Sequence, residues 1–302
     1  MILAVDIGGT SAKMALIEDG VITVRGEYAT RLPVIDGVSE SIEHFLSETN
    51  AAPDGIAVSA TGQVDTESGT VIGTDGKIPG YEGTPVKAIL EEKFRVPVTV
   101  LNDANAAALG ECAMGRAKGH KDVVMVTLGT GVGGGVVIDS KIYGGKRGIA
   151  GEIGHFTLYQ DGPKCTCGKK GCYELYASTA ALVRRGIAET GQSELTGRDI
   201  FSRAQRGDKA MLSLIDRWTD DIAAGIGGLV HIFSPEMVLV GGGVSSQEEL
   251  LIKPLREKVR NQLMPRFAEQ LDLRSAALGN DAGMIGAAAY WTQKYGKSEE
   301  RQ

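Results

Sequence analysis

The chain has 302 residues, 42% hydrophobic and 23% charged, the proportions of a soluble globular enzyme able to bury a sizeable core in one large or two ordinary domains. A net charge of −6 without a Lys/Arg block, and only 5% aromatic residues, argue against nucleic acid as a partner, which needs basic surface and stacking platforms. No apolar run reaches the ~18 residues of a membrane span, and the start Met-Ile-Leu-Ala-Val-Asp lacks the basic region of a signal peptide, so a cytoplasmic chain with no membrane partner is expected.

Residues 2–5 read as an apolar strand, Asp6-Ile7-Gly8-Gly9-Thr10 as a turn and 14–17 as a second strand, and Glu18-Asp19-Gly20 turns into a third strand over 21–24. Helices over 39–49 and 84–94 alternate with strands over 55–59 and 96–101, the second helix opened by Thr84 as N-cap with Pro85 at its first position. Asn102-Asp103-Ala104-Asn105 then leads into a helix over 106–114, on which Cys112 reads as packing. The opening grammar returns: 123–128 is apolar, Gly129-Thr130-Gly131-Val132-Gly133-Gly134-Gly135 is a turn, 136–138 is apolar, and Asp139-Ser140-Lys141 turns again. Further on come helices over 179–189, 197–204 and 208–233, a buried strand over 237–240, the turn Gly241-Gly242-Gly243, a capping box of Ser246 with Glu249, and an apolar last helix over 282–295. Two copies of one strand-and-turn unit predict an α/β fold of two duplicated domains flanking a cleft. The expected division is a small domain over 1–118, with the C-terminal helix of about 282–302 packing back on it, and a large domain over 119–281.

Three of the four cysteines, Cys165, Cys167 and Cys172, stand within eight residues of one another behind His155. That spacing reads as a closed tetrahedral zinc site, with Gly168 and Gly171 bending the loop around the ion. Redox chemistry, or a disulfide with one thiol left over, is the alternative, and a reducing compartment favours the metal. Glu152, Gly154 and Glu174 border the ligands, so a structural metal would organise a polar binding surface.

Glycine, at 42 copies, is about twice average usage and clusters beside apolar segments, where backbone approaches a ligand. Each glycine turn offers N–H groups to an anion, and a facing pair is suited to a polyphosphate. Neither turn fits a P-loop, because no Gly-Lys-Ser/Thr follows, nor a dinucleotide fingerprint, because the first runs into a strand. Asp6 supplies a carboxylate for magnesium through water, and Thr10 a hydroxyl for phosphate. Asp103, at a strand end and a helix start, reads either as an ordinary N-cap or as a base that takes a proton from a hydroxyl attacking a phosphoryl group, with Asn102 orienting the substrate.

Asp6-x-Gly8-Gly9-Thr10-x-x-Lys13, Asn102-Asp103-Ala104-Asn105-Ala106, Leu128 through Gly135, Glu152-Ile153-Gly154-His155 and Cys165-x-Cys167-Gly168-x-x-Gly171-Cys172-x-Glu174, in that order, together resemble the ROK family of sugar kinases and repressors. The resemblance implies an actin-like, hexokinase-like ATPase fold that uses ATP and magnesium, carries a structural zinc and forms a homodimer. It implies that Asp103 is the general base for a sugar 6-hydroxyl and that Gly62, Asn102, Asp103, Glu152, His155 and Glu174 contact the sugar, His155 also serving the zinc through its other ring nitrogen. Asp6, Gly8, Gly9, Thr10 and Lys13, with Gly129, Thr130, Gly131 and Gly133, match the family's phosphate turns, and Gly241, Gly242 and Gly243 its adenosine side. Family repressors carry a DNA-binding domain ahead of the first glycine turn, whereas here that turn begins at Gly8, so a kinase is expected over a repressor or a silent sugar sensor. Glucose is the expected sugar. N-acetylmannosamine or a β-glucoside is the alternative, because the loop over 73–81 lacks the Asn and the Trp of glucose-specific members but keeps Pro79-Gly80.

Overall fold

The computed structural model describes residues 1–74, 76 and 78–296. Asp75 and Lys77 of the loop singled out above, and residues 297–302, which the sequence reading attached to the last helix, lie outside them. In chain order the elements are strands β1 Ile2–Ile7, β2 Ser11–Glu18 and β3 Val21–Ala29, helix α1 Val34–Thr49, strands β4 Gly55–Ala60, β5 Gln63–Asp65 and β6 Thr70–Gly73, helix α2 Val86–Phe94, strand β7 Val98–Asn102 and helix α3 Asp103–Met114. Strands β8 Val123–Leu128, β9 Val132–Ile138 and β10 Lys141–Ile142 follow, then helices α4 Glu174–Ala177, α5 Thr179–Thr190, α6 Gly197–Gln205 and α7 Lys209–Phe233, strand β11 Met237–Gly241, helices α8 Lys253–Gln262 and α9 Pro265–Gln270, strand β12 Leu273–Ser275 and helix α10 Ala282–Tyr295.

The duplication read from the glycine turns is a duplication of the sheet. One sheet runs β3-β2-β1-β4-β7 and the other β10-β9-β8-β11-β12. In the first, β1 pairs β2 and β2 pairs β3 antiparallel, while β1–β4 and β4–β7 are parallel. The second repeats this sense, with β9–β10 antiparallel and β8–β11 and β11–β12 parallel. Inner parallel strands read as near-continuous apolar runs, and every residue of β4 and of β11 is buried, with Ser59 of β4 the polar exception. The edge strand β3 is mostly open and carries Arg25 and Glu27, charges that discourage further pairing.

Two compact units result. The first holds Met1–Gly119, Gly135–Gly151 and the segment from Asn280, and the second holds His120–Gly134 and Glu152–Gly279, so the chain changes unit inside β9. Leu3, Val5, Ile42, Phe45, Ile56 and Leu90 centre the core of the first unit. There α10 lies against α3 at glycines of both helices: a Cβ on Gly286 would overlap the Ala106 carbonyl, and one on Gly110 the Ala282 carbonyl. The backbones themselves are the packing surface. Gly286→Ala should therefore lower unfolding stability by about 1–3 kcal/mol, the usual cost of overpacking a tight contact; denaturant unfolding checks this, and an unchanged midpoint would contradict it. In the second unit α7 starts at its cap Asp208, which accepts from Ala210 N at 3.0 Å and Met211 N at 3.3 Å. Its Trp218 donates to the Ala177 and Ser178 carbonyls at 3.1 Å each, fixing the end of α4. No helix among the described residues is long and apolar enough to cross a membrane.

Local expectations fail where turn geometry overrides residue preference. Helix α2 begins at Val86 with Pro85 outside it, and Thr84 caps nothing: its carbonyl takes Val86 N at 3.0 Å while its hydroxyl points to Gly80 O at 3.4 Å. Ser246 and Glu249 form no capping box. A wide π turn over Glu248–Ile252 brings Leu251 N and Ile252 N both to Gln247 O, at 2.9 and 3.2 Å, and Glu249 pairs with Lys253 instead. Gly133, Gly134 and Gly135 belong to β9 rather than to the turn, and Gly135 is small because its Cβ would stand 2.5 Å from Ala108 Cβ of α3. Helix α1 starts earlier than expected, directly after Pro33, a residue that fits a helix entry but no helix interior. Cys112 is half-buried on α3, and burial pushes its thiol up to about 12.

Candidate functional site

In the first unit the carboxyl ends of three adjacent strands carry the polar residues. Asp6 lies near the end of β1, Ser59 beside it on β4, and Asn102 ends β7; the registers Asp6↔Ser59 and Ala60↔Asn102 bring them together. Ser59 donates to Asp6 Oδ1 at 2.7 Å, and Gly283 of α10 leaves room for both side chains, since its Cβ would stand 3.0 Å from Ser59 Oγ and 3.4 Å from Asp6 Oδ1. Lys13 is the cross-strand partner of Asp6. Burial raises the Asp6 carboxyl above its ordinary range, opposed by the Ser59 bond and the Lys13 charge. A raised acid favours folding fully below its unfolded value and loses that contribution as pH climbs through the folded value, so at neutral pH the buried charge works against the fold. Asp6→Asn should raise the melting temperature of the ligand-free protein at pH 7, with the gain shrinking as pH falls through the folded value and vanishing below the unfolded value of about 3.9, where both states hold the neutral acid; a lowered melting temperature at pH 7 would contradict this.

Asn102, not Asp103, is the N-cap of α3. Its Oδ1 accepts from Ala104 N at 3.0 Å and Asn105 N at 3.1 Å, while its Nδ2 donates to Gly62 O at 2.9 Å and Asp103 Oδ1 at 3.0 Å. Both donors and both lone pairs of this amide are engaged. Relieved of the cap, Asp103 is the first helical residue, exposed, with Oδ1 accepting from Ala104 N at 2.7 Å. Gly62 has φ 90° and a Cβ there would stand 2.7 Å from Gly73 O, so both conformation and space demand glycine. The turn after β1 is fastened by Gly8 N to Ser11 O at 3.0 Å, and from β3 by the Thr30 hydroxyl to Gly8 O and Thr30 N to Thr10 O, both 3.0 Å. Ile78 lies 3.8 Å from the place of a Gly9 Cβ. Tyr81, in the loop that departs from the glucose-specific pattern, is buried, and its hydroxyl has no partner among the described residues. Burial, then the charges of Asp103 and Asp6, keep that phenol protonated.

The second unit brings His155, Cys165, Cys167 and Cys172 together, with all four donor atoms within 4.8 Å of one another. Cys167 Sγ stands 3.5 Å from Cys172 Sγ, and Cys165 Sγ 3.7 Å from His155 Nδ1. Sulfurs bonded at about 2.3 Å to a tetrahedral ion stand about 3.8 Å apart, so the donor set fits a metal of zinc's size and softness. Backbone bonds shape the loop: Cys165 N to Lys169 O at 2.8 Å, Gly168 N to Cys165 O at 3.0 Å and Gly171 N to Pro163 O at 2.9 Å. Gly168 has φ 89° and Gly171 φ 67°, and a Cβ on Gly171 would overlap the Tyr159 carbonyl. The Lys169 N–H lowers the exposed Cys167 thiol, while burial pushes Cys172 up to about 12, so a cation is what lets the set ionise as a whole. His155 closes a short helical turn whose first carbonyl, that of the exposed Glu152, accepts His155 N at 3.1 Å.

Glu174 opens α4 two residues after Cys172. Its Oε2 accepts from Val132 N at 3.3 Å, and its Oε1 lies 3.8 Å from Cys165 Sγ. The turn after β8 is closed by Gly129 N to Gly131 O at 3.0 Å, and Gly242, with φ 93°, crosses directly over the Leu128 carbonyl. A cavity of about 550 Å3 opens beside it, lined by Gly129, Thr130 and Gly243 and by the apolar side chains of Val183, Ile187 and Val244. The sequence reading found the glycines and the loop that carries Tyr81 but missed Ser59 and the α5 wall of this cavity. An apolar stripe on α5 reads equally well as core.

Two sheets of one topology, each with a glycine turn after its first strand, define the actin-like, hexokinase-like ATPase fold. The chain belongs to the ROK family, whose profile matches residues 2–294. A glucokinase of Thermotoga maritima is 34% identical over 98% of each chain. An N-acetylmannosamine kinase of Haemophilus influenzae is 32% identical over 96% of this chain and 95% of its own. The solved structure of a ROK family glucokinase from Streptomyces griseus in complex with glucose and AMPPNP superposes with a TM-score of 0.83 at 32% identity, covering 96% of this chain and 98% of that one.

Proposed function

We propose that the protein is an ATP-dependent kinase of the hexose 6-hydroxyl, with glucose as its sugar. The observation that carries the reading is the Asn102–Asp103 corner: one residue takes over the helix cap, and the carboxylate beside it is released to a helix N-terminus at the end of a strand that neighbours Asp6 through β4. Asp103 takes the proton of the 6-hydroxyl as that oxygen bonds to the γ-phosphorus and the bond from phosphorus to the ADP oxygen breaks. Gly62, Asn102, Asp103, Glu152, His155 and Glu174 are the residues proposed for the sugar, Asn102 exchanging its Asp103 bond for a sugar hydroxyl. The phosphates lie against the turns of Gly8, Gly9 and Thr10 with Lys13, and of Gly129, Thr130, Gly131 and Gly133. Adenosine takes the cavity beside Gly241, Gly242 and Gly243. Asp6, whose carboxyl is raised by burial, would hold magnesium, which would offset phosphate charge. His155, Cys165, Cys167 and Cys172 would hold zinc, and the His155 ring so held would be oriented for the sugar. The thiol ligands need the reducing cytoplasm, and the enzyme works there as a homodimer.

A coupled ADP-release assay over glucose, mannose, fructose, N-acetylmannosamine, N-acetylglucosamine and cellobiose tests this, with the highest kcat/KM expected for glucose. The second reading, N-acetylmannosamine, is favoured by Tyr81 in the altered loop and by the Haemophilus influenzae relative. No turnover with any of the six would refute the kinase.

A further inference from the structure

The metal ligands and the second glycine turn are joined by one short stretch of chain. Cys172 is a ligand, Tyr173 donates its hydroxyl to Ile222 O at 2.9 Å in the core, and Glu174 reaches the turn. Glu174 Oε2 accepts from Val132 N at 3.3 Å and occupies the place where a Gly131 Cβ would be, so Gly131 is a glycine for the sake of Glu174 as much as for any phosphate. Its other oxygen faces the ligand Cys165 Sγ at 3.8 Å. A few residues on, Thr179 N donates to Gly129 O at 2.9 Å and the Thr179 hydroxyl to Leu128 O at 3.3 Å. The turn is therefore held from one side by the segment that leaves the cysteine loop. A metal shared by Cys165 and Cys172 would fix the start of the segment that carries Glu174, two residues on from Cys172.

We propose that Glu174 is a positioning residue that couples metal occupancy to nucleotide affinity: the loaded metal site holds the Gly129-Thr130-Gly131 turn in its anion-binding shape. This rests on the kinase reading, and it extends the metal's reach from the sugar wall to the phosphates. Coupling of two ligands is reciprocal, so nucleotide must tighten metal retention by the same factor.

Calorimetric titration of AMPPNP without sugar into zinc-loaded and chelator-stripped protein should show about tenfold weaker binding to the stripped form, within the ordinary range for coupled sites. A chromophoric chelator competing for zinc should read a matching, about tenfold, gain in zinc affinity when AMPPNP is present. Glu174→Ala and Gly131→Ala break the same contact from its two sides; each, with zinc bound, should bind AMPPNP about as weakly as the stripped protein and show no effect of AMPPNP on zinc affinity. These variants keep the test decisive if stripping unfolds the loop. Equal AMPPNP affinity in the loaded and stripped forms, or variants that retain the reciprocal effect, would overturn the coupling alone. Absence of AMPPNP binding to the loaded wild type would overturn the nucleotide reading, and the coupling with it.

Discussion

Replacing Asp103 by Asn is expected to lower kcat about a hundred- to ten-thousandfold, the usual worth of a positioned proton acceptor, while nucleotide affinity stays within about twofold. The substitution is nearly isosteric. The new amide would retain an oxygen to accept Ala104 N, now met at 2.7 Å, and the helix cap is untouched because Asn102 supplies it. Folding is therefore preserved, and the loss isolates basicity. If Asp103 were merely a capping residue, the same change would alter stability and leave turnover alone. Stopped-flow or coupled-assay rates beside a thermal melt separate the two, and a variant at the native rate would refute the base.

Cys172→Ala should be the most damaging change to the fold of the second unit. Cys172 is fully buried and pairs as an isolated bridge with Thr157, so it is a node of the loop as well as a proposed metal ligand. Structural zinc supplies on the order of 10 kcal/mol where a small domain has little else. Here the loop keeps its backbone bonds and the Tyr159 hydroxyl bond to Asp221 at 2.7 Å, which Arg185 also binds, so a smaller loss of about 3–5 kcal/mol is expected. At roughly 2–4 °C per kcal/mol for a unit of this size, the melting temperature should fall by about 10 °C. Calorimetry with elemental analysis checks it: the wild type should carry one zinc, and the variant much less. A wild type free of bound metal, or a melt unmoved by chelation, would refute the site.

The architecture was legible because its signals are local and repeated. Strand, glycine turn and strand occur twice, and both sheets grow from that unit. The cysteine spacing likewise constrains a loop of few residues, so the donor side chains come together with His155. What escaped the sequence needed contacts distant along the chain. Ser59 sits inside a buried strand and becomes interesting only because the register places it beside Asp6. Thr84-Pro85 and Ser246 to Glu249 carry good helix-start chemistry, but the backbone turns before each one can use it. Gly131 read as room for phosphate, and its tight neighbour is a carboxylate from beyond the cysteine loop. The cavity wall on α5 looked like ordinary core until the fold left a space beside it.

The two sheets share a plan, yet they are not equivalent where it counts. Aligning Asp6-Ile7-Gly8 with Thr127-Leu128-Gly129 sets Thr127 of the second copy where the first has Asp6. The first copy carries a buried carboxylate at its strand end; the second carries a hydroxyl there and has an apolar hollow beside its turn instead. A division of labour between the two strand ends follows: the first presents a carboxylate that answers to pH, and the second, beside its hollow, selects by shape. On the proposed placement of adenosine, editing Val183, Ile187 and Val244 should shift the preference among donor nucleotides, read as kcat/KM with ATP against GTP, and leave the Asp103 proton chemistry unchanged.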